Sequence, residues 1–207
     1  MSSIADLESR VAKSIQESID DRQNLLRDSV SISSIARASE ICVRALKAGN
    51  KLIFFGNGGS AADAQHIAAE FVGRFRADRP ALPALALTVN TSCLTAISND
   101  YGFEHVFVRQ LEALARPGDV AIGLSTSGNS KNVLLGISTA KRMELHTIAL
   151  TGAAGGELKR ATGVDLCVCF PSSETPRVQE GHILLGHMVC ELVEQELYPQ
   201  LRRIAGS

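Results

Sequence analysis

Apolar positions recur along this chain at two periods, and the change from one to the other falls near residue 50. Ile4, Leu7, Val11, Ile15 and Ile19 are three or four apart with charges between them, and residues 3–27 are expected to form an amphipathic helix. Ile32, Ile35, Ala36, Cys42, Val43 and Leu46 make a second stripe, so residues 31–49 are read as another helix, ended by Gly49-Asn50. Beyond it the apolar residues gather into short unbroken runs: Leu52–Phe55, Leu85–Thr88, Val120–Ser125, Thr147–Leu150 and Leu166–Phe170. Such runs suit strands covered on both faces. Helical patterns fit between them at Ser60–Phe75, Glu104–Ala115, Ser130–Met143 and Gly155–Ala161, with a further short one at Ser92–Ile97. A last helix is expected from Arg177 to Leu197.

The alternation predicts an α/β fold: a doubly wound, five-stranded parallel sheet flanked by helices, with an N-terminal helical pair and a long C-terminal helix. One domain, 1–207, is expected, with helices in 1–50 and the α/β core and C-terminal helix in 51–207. The helical pair has no strand of its own to cover, so it packs either across the sheet or against another subunit.

Composition narrows the partners. The chain has 207 residues, 45% of them hydrophobic and 21% charged, with a net charge of −1 and no tryptophan. That balance offers no broad electrostatic footprint for nucleic acid or anionic lipid, and few rings for base stacking. The chain opens with early acidic residues rather than a signal-type apolar segment, and no apolar run nears the roughly 18 residues that span a bilayer. A cytoplasmic protein is expected. Its five cysteines form no CxxC, and Cys167 and Cys169 are expected to share one strand face as small hydrophobes.

In doubly wound sheets, ligands bind beyond the carboxyl ends of the strands. Two strands here run into glycine- and serine-rich loops. The first, Gly56-Asn57-Gly58-Gly59, leads into a helix at Ser60, whose hydroxyl is expected to cap the first turn. It matches G-x-G-x-x-A, but a dinucleotide site also needs an acidic residue at the end of the next strand, and Leu87-Thr88-Val89-Asn90-Thr91 has none. No Gly-Lys-Ser/Thr follows, which excludes a P-loop. The second loop, Ser125-Thr126-Ser127-Gly128-Asn129-Ser130, offers hydroxyls, turn amides and a helix N-terminus, a set that suits a phosphate monoester. Lys131 and Arg74 could add charge. Asn99-Asp100 is read as a third polar loop.

Four side chains on two helices carry further chemistry. His66 and Glu70 are one turn apart on the first βα helix. Gln179 and His187 are eight residues apart on the last helix, about 80° on the helical wheel, and His182 competes for that face. Two imidazoles, a carboxylate and an amide oxygen suit a borderline cation such as zinc, and also supply groups for proton transfer.

The GNGGSAADAQH stretch after the first strand, STSGNS after the third, and VQEGHILLGH in the last helix together resemble the phosphoheptose isomerases of the sugar-isomerase (SIS) domain family. The resemblance covers essentially the whole chain. It implies a homotetramer with active sites at subunit interfaces, and interconversion of sedoheptulose 7-phosphate and D-glycero-D-manno-heptose 7-phosphate for lipopolysaccharide or other surface glycans. It places zinc on His66, Glu70, Gln179 and His187, and the acid/base pair on Glu70 and His187. It places substrate contacts on Asn57, Gly58, Gly59, Glu70, Asn99, Asp100, Ser125, Thr126, Ser127, Ser130 and Gln179. A rival reading is a SIS scaffold of the DnaA-initiator-associating type; His187 and Ser127 favour the isomerase. A sugar-phosphate isomerase or sensor of another specificity is the remaining alternative.

Overall fold

The computed structural model describes residues 2–201, so Met1 and residues 202–207 of the expected domain lie outside the described residues. Two helices come first. Helix α1 (Ile4–Arg27) begins with a capping box: Ser3 Oγ accepts from the Asp6 amide, and the Asp6 carboxylate accepts from the Ser3 amide. Asp28 ends α1 and caps α2 (Ser29–Lys47) by accepting from the Val30 amide.

The core follows as β1 (Leu52–Gly56), α3 (Gly59–Val72), β2 (Ala84–Ala86), α4 (Thr91–Tyr101), α5 (Val106–Leu114), β3 (Val120–Ser125), α6 (Lys131–Arg142), β4 (His146–Thr151), β5 (Leu166–Cys169) and α7 (Thr175–Leu197). All strand pairs are parallel, in the order β2-β1-β3-β4-β5. Alternate residues of each strand feed two apolar layers. Leu52 and Phe54 face α2, α3 and α7, while Ile53 and Phe55 face α4, α5 and α6. This is the expected doubly wound sheet with its helical pair and long last helix. Its switch point lies between β1 and β3, from which the chain crosses over to opposite edges.

Helices α3 and α7 pack side by side and run in the same direction. Gly59 lies against Gln179 at their N-terminal ends, and Gly186 lies against Ile67 further along. A Cβ on Gly186 would stand 2.4 Å from Ile67 Cδ1, so glycine there sets how closely the two helices approach. Arg79 locks the far end. It is buried, donates to Glu194 and to the carbonyls of Glu70 and Phe71, and so satisfies the open C-terminal turn of α3.

Four local expectations change. Gly155 and Gly156 both take left-handed φ angles, of 71° and 57°, so the helix expected over Gly155–Ala161 shrinks to a single 3-10 turn at Leu158–Arg160. Asn99 and Asp100 are not a loop: the helix expected over Ser92–Ile97 continues to Tyr101 and carries them in its last turn. Strand β2 stops at Ala86, short of the expected Thr88. The helix expected over Glu104–Ala115 starts as a 3-10 turn at Phe103–His105 before α5.

Among the described residues the apolar stripe of α1 covers nothing. Ile4, Leu7, Val11, Ile15 and Ile19 are all exposed, and α1 is tied to α7 by polar contacts from Ser18 to Glu180 and from Arg177 to the Ser14 carbonyl. Among the described residues no helix is long and apolar enough to cross a membrane.

Candidate active site

The two glycine- and serine-rich loops meet at the switch point. Gly58, at φ 55°, takes the N-cap position of α3, where no side chain bonds the first turn. This corrects the expected Ser60 cap: Ser60 is buried inside that turn, where a Cβ on Gly56 would lie only 2.9 Å from it. Helix α6 likewise starts without a side-chain cap, because the Ser130 hydroxyl pairs with Ser125 Oγ at 2.9 Å. Two open helix N-termini therefore flank the carboxyl ends of β1 and β3, a ready site for an anion.

Asn57 and Asn132 clamp the two loops together through reciprocal amide hydrogen bonds of 2.8 Å each. Motif reading missed Asn132. The signal available was an amide two residues past Ser130, but nothing in the sequence says which amide across the sheet it meets.

The second loop is braced from behind. The Gly128 amide donates to the Ser125 carbonyl at 3.0 Å, the Gly152 amide to the Thr126 carbonyl at 3.0 Å, and Asn129 Oδ1 accepts from the Glu157 amide at 2.9 Å. Ser125 is buried, Thr126 half-buried and Ser127 exposed, and Ser127 Oγ accepts from the Asn129 amide. Lys131 is exposed and paired with Glu104, and Arg74 is exposed. Asn99 and Asp100 are exposed on α4 and bonded to each other, the Asn99 amide donating to Asp100 at 2.8 Å.

Further along α3 lies the second constellation. His66 Nε2 is 3.1 Å from Glu70 Oε1 and 3.1 Å from His187 Nε2. Donor atoms of the three residues all lie within 4.8 Å of one another. One imidazole nitrogen carries either a proton or a lone pair, so His66 Nε2 cannot satisfy both neighbours with one hydrogen. A cation among the three would satisfy all of them. In a tetrahedral zinc site, ligand atoms at about 2.1 Å from the metal stand roughly 3.4 Å from each other, and the two 3.1 Å spacings around His66 lie close to that value. Burial and the facing His66 both push the His187 pKa down, and Glu70 opposes them. The Phe75 ring covers His187 at a centroid distance of 5.4 Å.

Gln179 stands apart from this group. Its amide rests over Gly59, where a Cβ would meet Nε2 at 2.3 Å, seven residues or about 10 Å of helix rise before His66. That position places it beside the Asn57–Gly59 loop. His182 leaves the competition: it is wholly buried with neither ring nitrogen hydrogen-bonded, it lies by the Thr151 carbonyl, and desolvation pulls its pKa down to about 4. Asp63, also missed, is buried one turn before His66 with Oδ2 unpartnered; desolvation raises its pKa to about 6 against the pull of His66.

The SIS domain profile matches residues 6–152, from α1 into the loop after β4. The chain belongs to the SIS domain family. Relatives match more of the chain than this profile does. A phosphoheptose isomerase of Clostridium acetobutylicum is 53% identical over 184 residues, covering 89% of this chain and 93% of that protein. One of Akkermansia muciniphila is 58% identical over 164 residues, covering 79% and 86%. The solved structure of a phosphoheptose isomerase from Neisseria gonorrhoeae superposes with a TM-score of 0.84 at 43% identity, covering 91% of this chain and 99% of that one.

Proposed function

We propose that this SIS domain, taken as a single unit over 1–207, is an aldose–ketose isomerase that converts sedoheptulose 7-phosphate to D-glycero-D-manno-heptose 7-phosphate. The product is the kind of precursor from which heptoses of lipopolysaccharide and other surface glycans are built. The observation that carries this reading is the pairing of an anion-ready switch point with a His66–Glu70–His187 cluster built by the helix that leaves it, α3, and by α7 beside it.

The phosphate is held at Ser125, Thr126, Ser127 and Ser130 over the open end of α6. Asn57, Gly58, Gly59 and Gln179 take the sugar hydroxyls at the start of α3, with Asn99 and Asp100 contributing from α4. Glu70 removes a proton from C1 of the ketose and returns it to C2 through an enediolate. Burial and the facing His66 favour the neutral form of His187, and a neutral imidazole can take a proton from one substrate oxygen while giving one to the other. His66, Glu70 and His187 hold zinc; Gln179, seated at the other end of α3 over Gly59, leaves the fourth position to water or substrate. Bound there, the ion supplies positive charge beside a developing oxyanion. A lone pair engaged by the ion is not free for a proton, so Glu70 and His187 act on protons only when released.

Glu70 follows Gly59 by eleven residues, a rise of about 16 Å along α3. That rise sets Glu70 well away from the glycine loop of its own protomer. The exposed stripe of α1 offers an apolar face for another copy. Both features support an assembly of several copies, read as a homotetramer, in which the loops and the carboxylate around one substrate come from neighbouring protomers; a cytoplasmic location is part of the same proposal.

Incubation with sedoheptulose 7-phosphate, with and without a chelator, tests the reading. Appearance of the aldose 7-phosphate is expected. No aldose product, together with retention on immobilised DnaA, would assign the scaffold role instead.

A further inference from the structure

A pair of thiols lies outside the site described above. Strand β5 is an edge of the sheet, and Cys167 and Cys169 point to the same side of it with their sulfurs 3.8 Å apart. Thr151 Oγ1, on the neighbouring strand, lies 3.6 Å from one sulfur and 3.4 Å from the other. Both thiols are free and half-buried, and they line a surface cavity of 260 Å³ together with Asp28, Ser31 and Lys159. The chain's other cysteines lie elsewhere: Cys42 and Cys190 are buried among the α2 and α7 side chains, and Cys93 is on α4.

We propose that Cys167 and Cys169 form a two-thiolate site for a soft, monovalent cation of the copper(I) class. Sulfur is the donor that selects such ions. With metal–thiolate bonds of about 2.3 Å, two sulfurs meeting one ion at an open angle stand about 3.8–4.0 Å apart. The observed spacing already has that value, so the ion enters without moving the strand. The Thr151 hydroxyl or a solvent molecule stands ready as a weak third donor. Binding releases the two thiol protons and forms two metal–sulfur bonds, with no change of oxidation state. The Lys159 ammonium at the cavity offsets the added negative charge. The two thiols already share a hydrogen bond across 3.8 Å, so both sulfurs face the point an ion would take.

The site also reaches the phosphate loop. Thr151 is followed by Gly152, whose amide holds the Thr126 carbonyl at 3.0 Å. An ion drawn against Thr151 is therefore one residue from a brace of the substrate loop.

The fully reduced protein, titrated anaerobically with copper(I) in the presence of bicinchoninate, tests the site. One equivalent per chain is expected to be withheld from the chelator. Cys167→Ser and Cys169→Ser should each weaken retention at least tenfold, while Cys93→Ser and the His66→Ala/His187→Ala double variant keep it. Should the serine variants fail to fold, Cys167→Val and Cys169→Val preserve an apolar strand and are expected to show the same loss. Unchanged retention in the paired cysteine variants would overturn the proposal. So would retention that follows Cys93 or the histidines, or a Cys167–Cys169 disulfide, seen as a 2 Da mass loss, as the only response to copper.

Discussion

His66 and His187 face each other nitrogen to nitrogen at 3.1 Å, with the Glu70 carboxylate 3.1 Å from the same His66 atom. Three donors this close, with too few protons to share, could hold a cation. Purified protein is expected to retain about one zinc per chain by elemental analysis. His66→Ala and His187→Ala should each lower zinc affinity by tenfold or more, because each removes one bond of a small set. Acid should release the ion as the imidazoles protonate, which can be followed with a zinc indicator between pH 7 and pH 5. Zinc retained in full by the His66→Ala/His187→Ala double variant would refute the site.

Glu70→Gln keeps the size and the hydrogen-bonding reach of the side chain but removes the base. Loss of a positioned acid–base group removes about 10²–10⁴ in rate. Glu70→Gln and His187→Gln are therefore each expected to fold normally by circular dichroism and to lose at least a hundredfold in kcat on sedoheptulose 7-phosphate. Full activity in Glu70→Gln would end the mechanism proposed.

The first of these sites was largely legible in the sequence, and the reason is local. Leu52–Phe55, the glycine turn and the His66/Glu70 spacing all sit within one βα unit, where chain geometry alone puts them together. Gln179 and His187 were harder. Helical periodicity places both near one face of α7, but where each falls along α3 depends on Gly186 meeting Ile67 and Gly59 meeting Gln179, contacts that no local pattern encodes. Asn132, Arg79 and Asp63 were invisible for the same reason: each acts through a partner or a burial made only by the folded sheet and helices. Asn99-Asp100 misled because two polar residues in a row read as a loop, whereas a helix end carries them as readily.

Gly128 is a sharp test of the phosphate loop. Its φ is 70°, and a Cβ there would stand 2.1 Å from the Gly155 carbonyl oxygen. Gly128→Ala must therefore strain the backbone, at about 1–3 kcal/mol, and push the loop off the turn that braces it. The expected outcome is a lowered melting temperature and a KM for the sugar phosphate raised at least tenfold. Zinc content should be unchanged, because the His66 cluster lies well along α3. An unaltered KM would separate this loop from substrate binding.

Asp63 links the site to stability through pH. Desolvation raises its folded pKa to about 6 from an ordinary 3.8. Between those values the native state holds a proton that the unfolded chain has released, so this group's contribution to stability is present at low pH and is lost as pH rises through 6. At pH 8 the buried charge costs on the order of 3 kcal/mol, from about two pH units at 1.36 kcal/mol each. Asp63→Asn removes that charge. It is expected to unfold at higher urea than the parent at pH 8, with the gap closing through pH 6 and gone near pH 4. His182 works in the opposite sense: its folded pKa of about 4 lies below the ordinary 6.5, so its contribution is lost as pH falls from 6.5 toward 4. His182 is the same in both proteins, so its effect cancels in the difference between their urea midpoints. A gap that stays constant from pH 4 to pH 8 would show that the Asp63 carboxyl is not the group responsible.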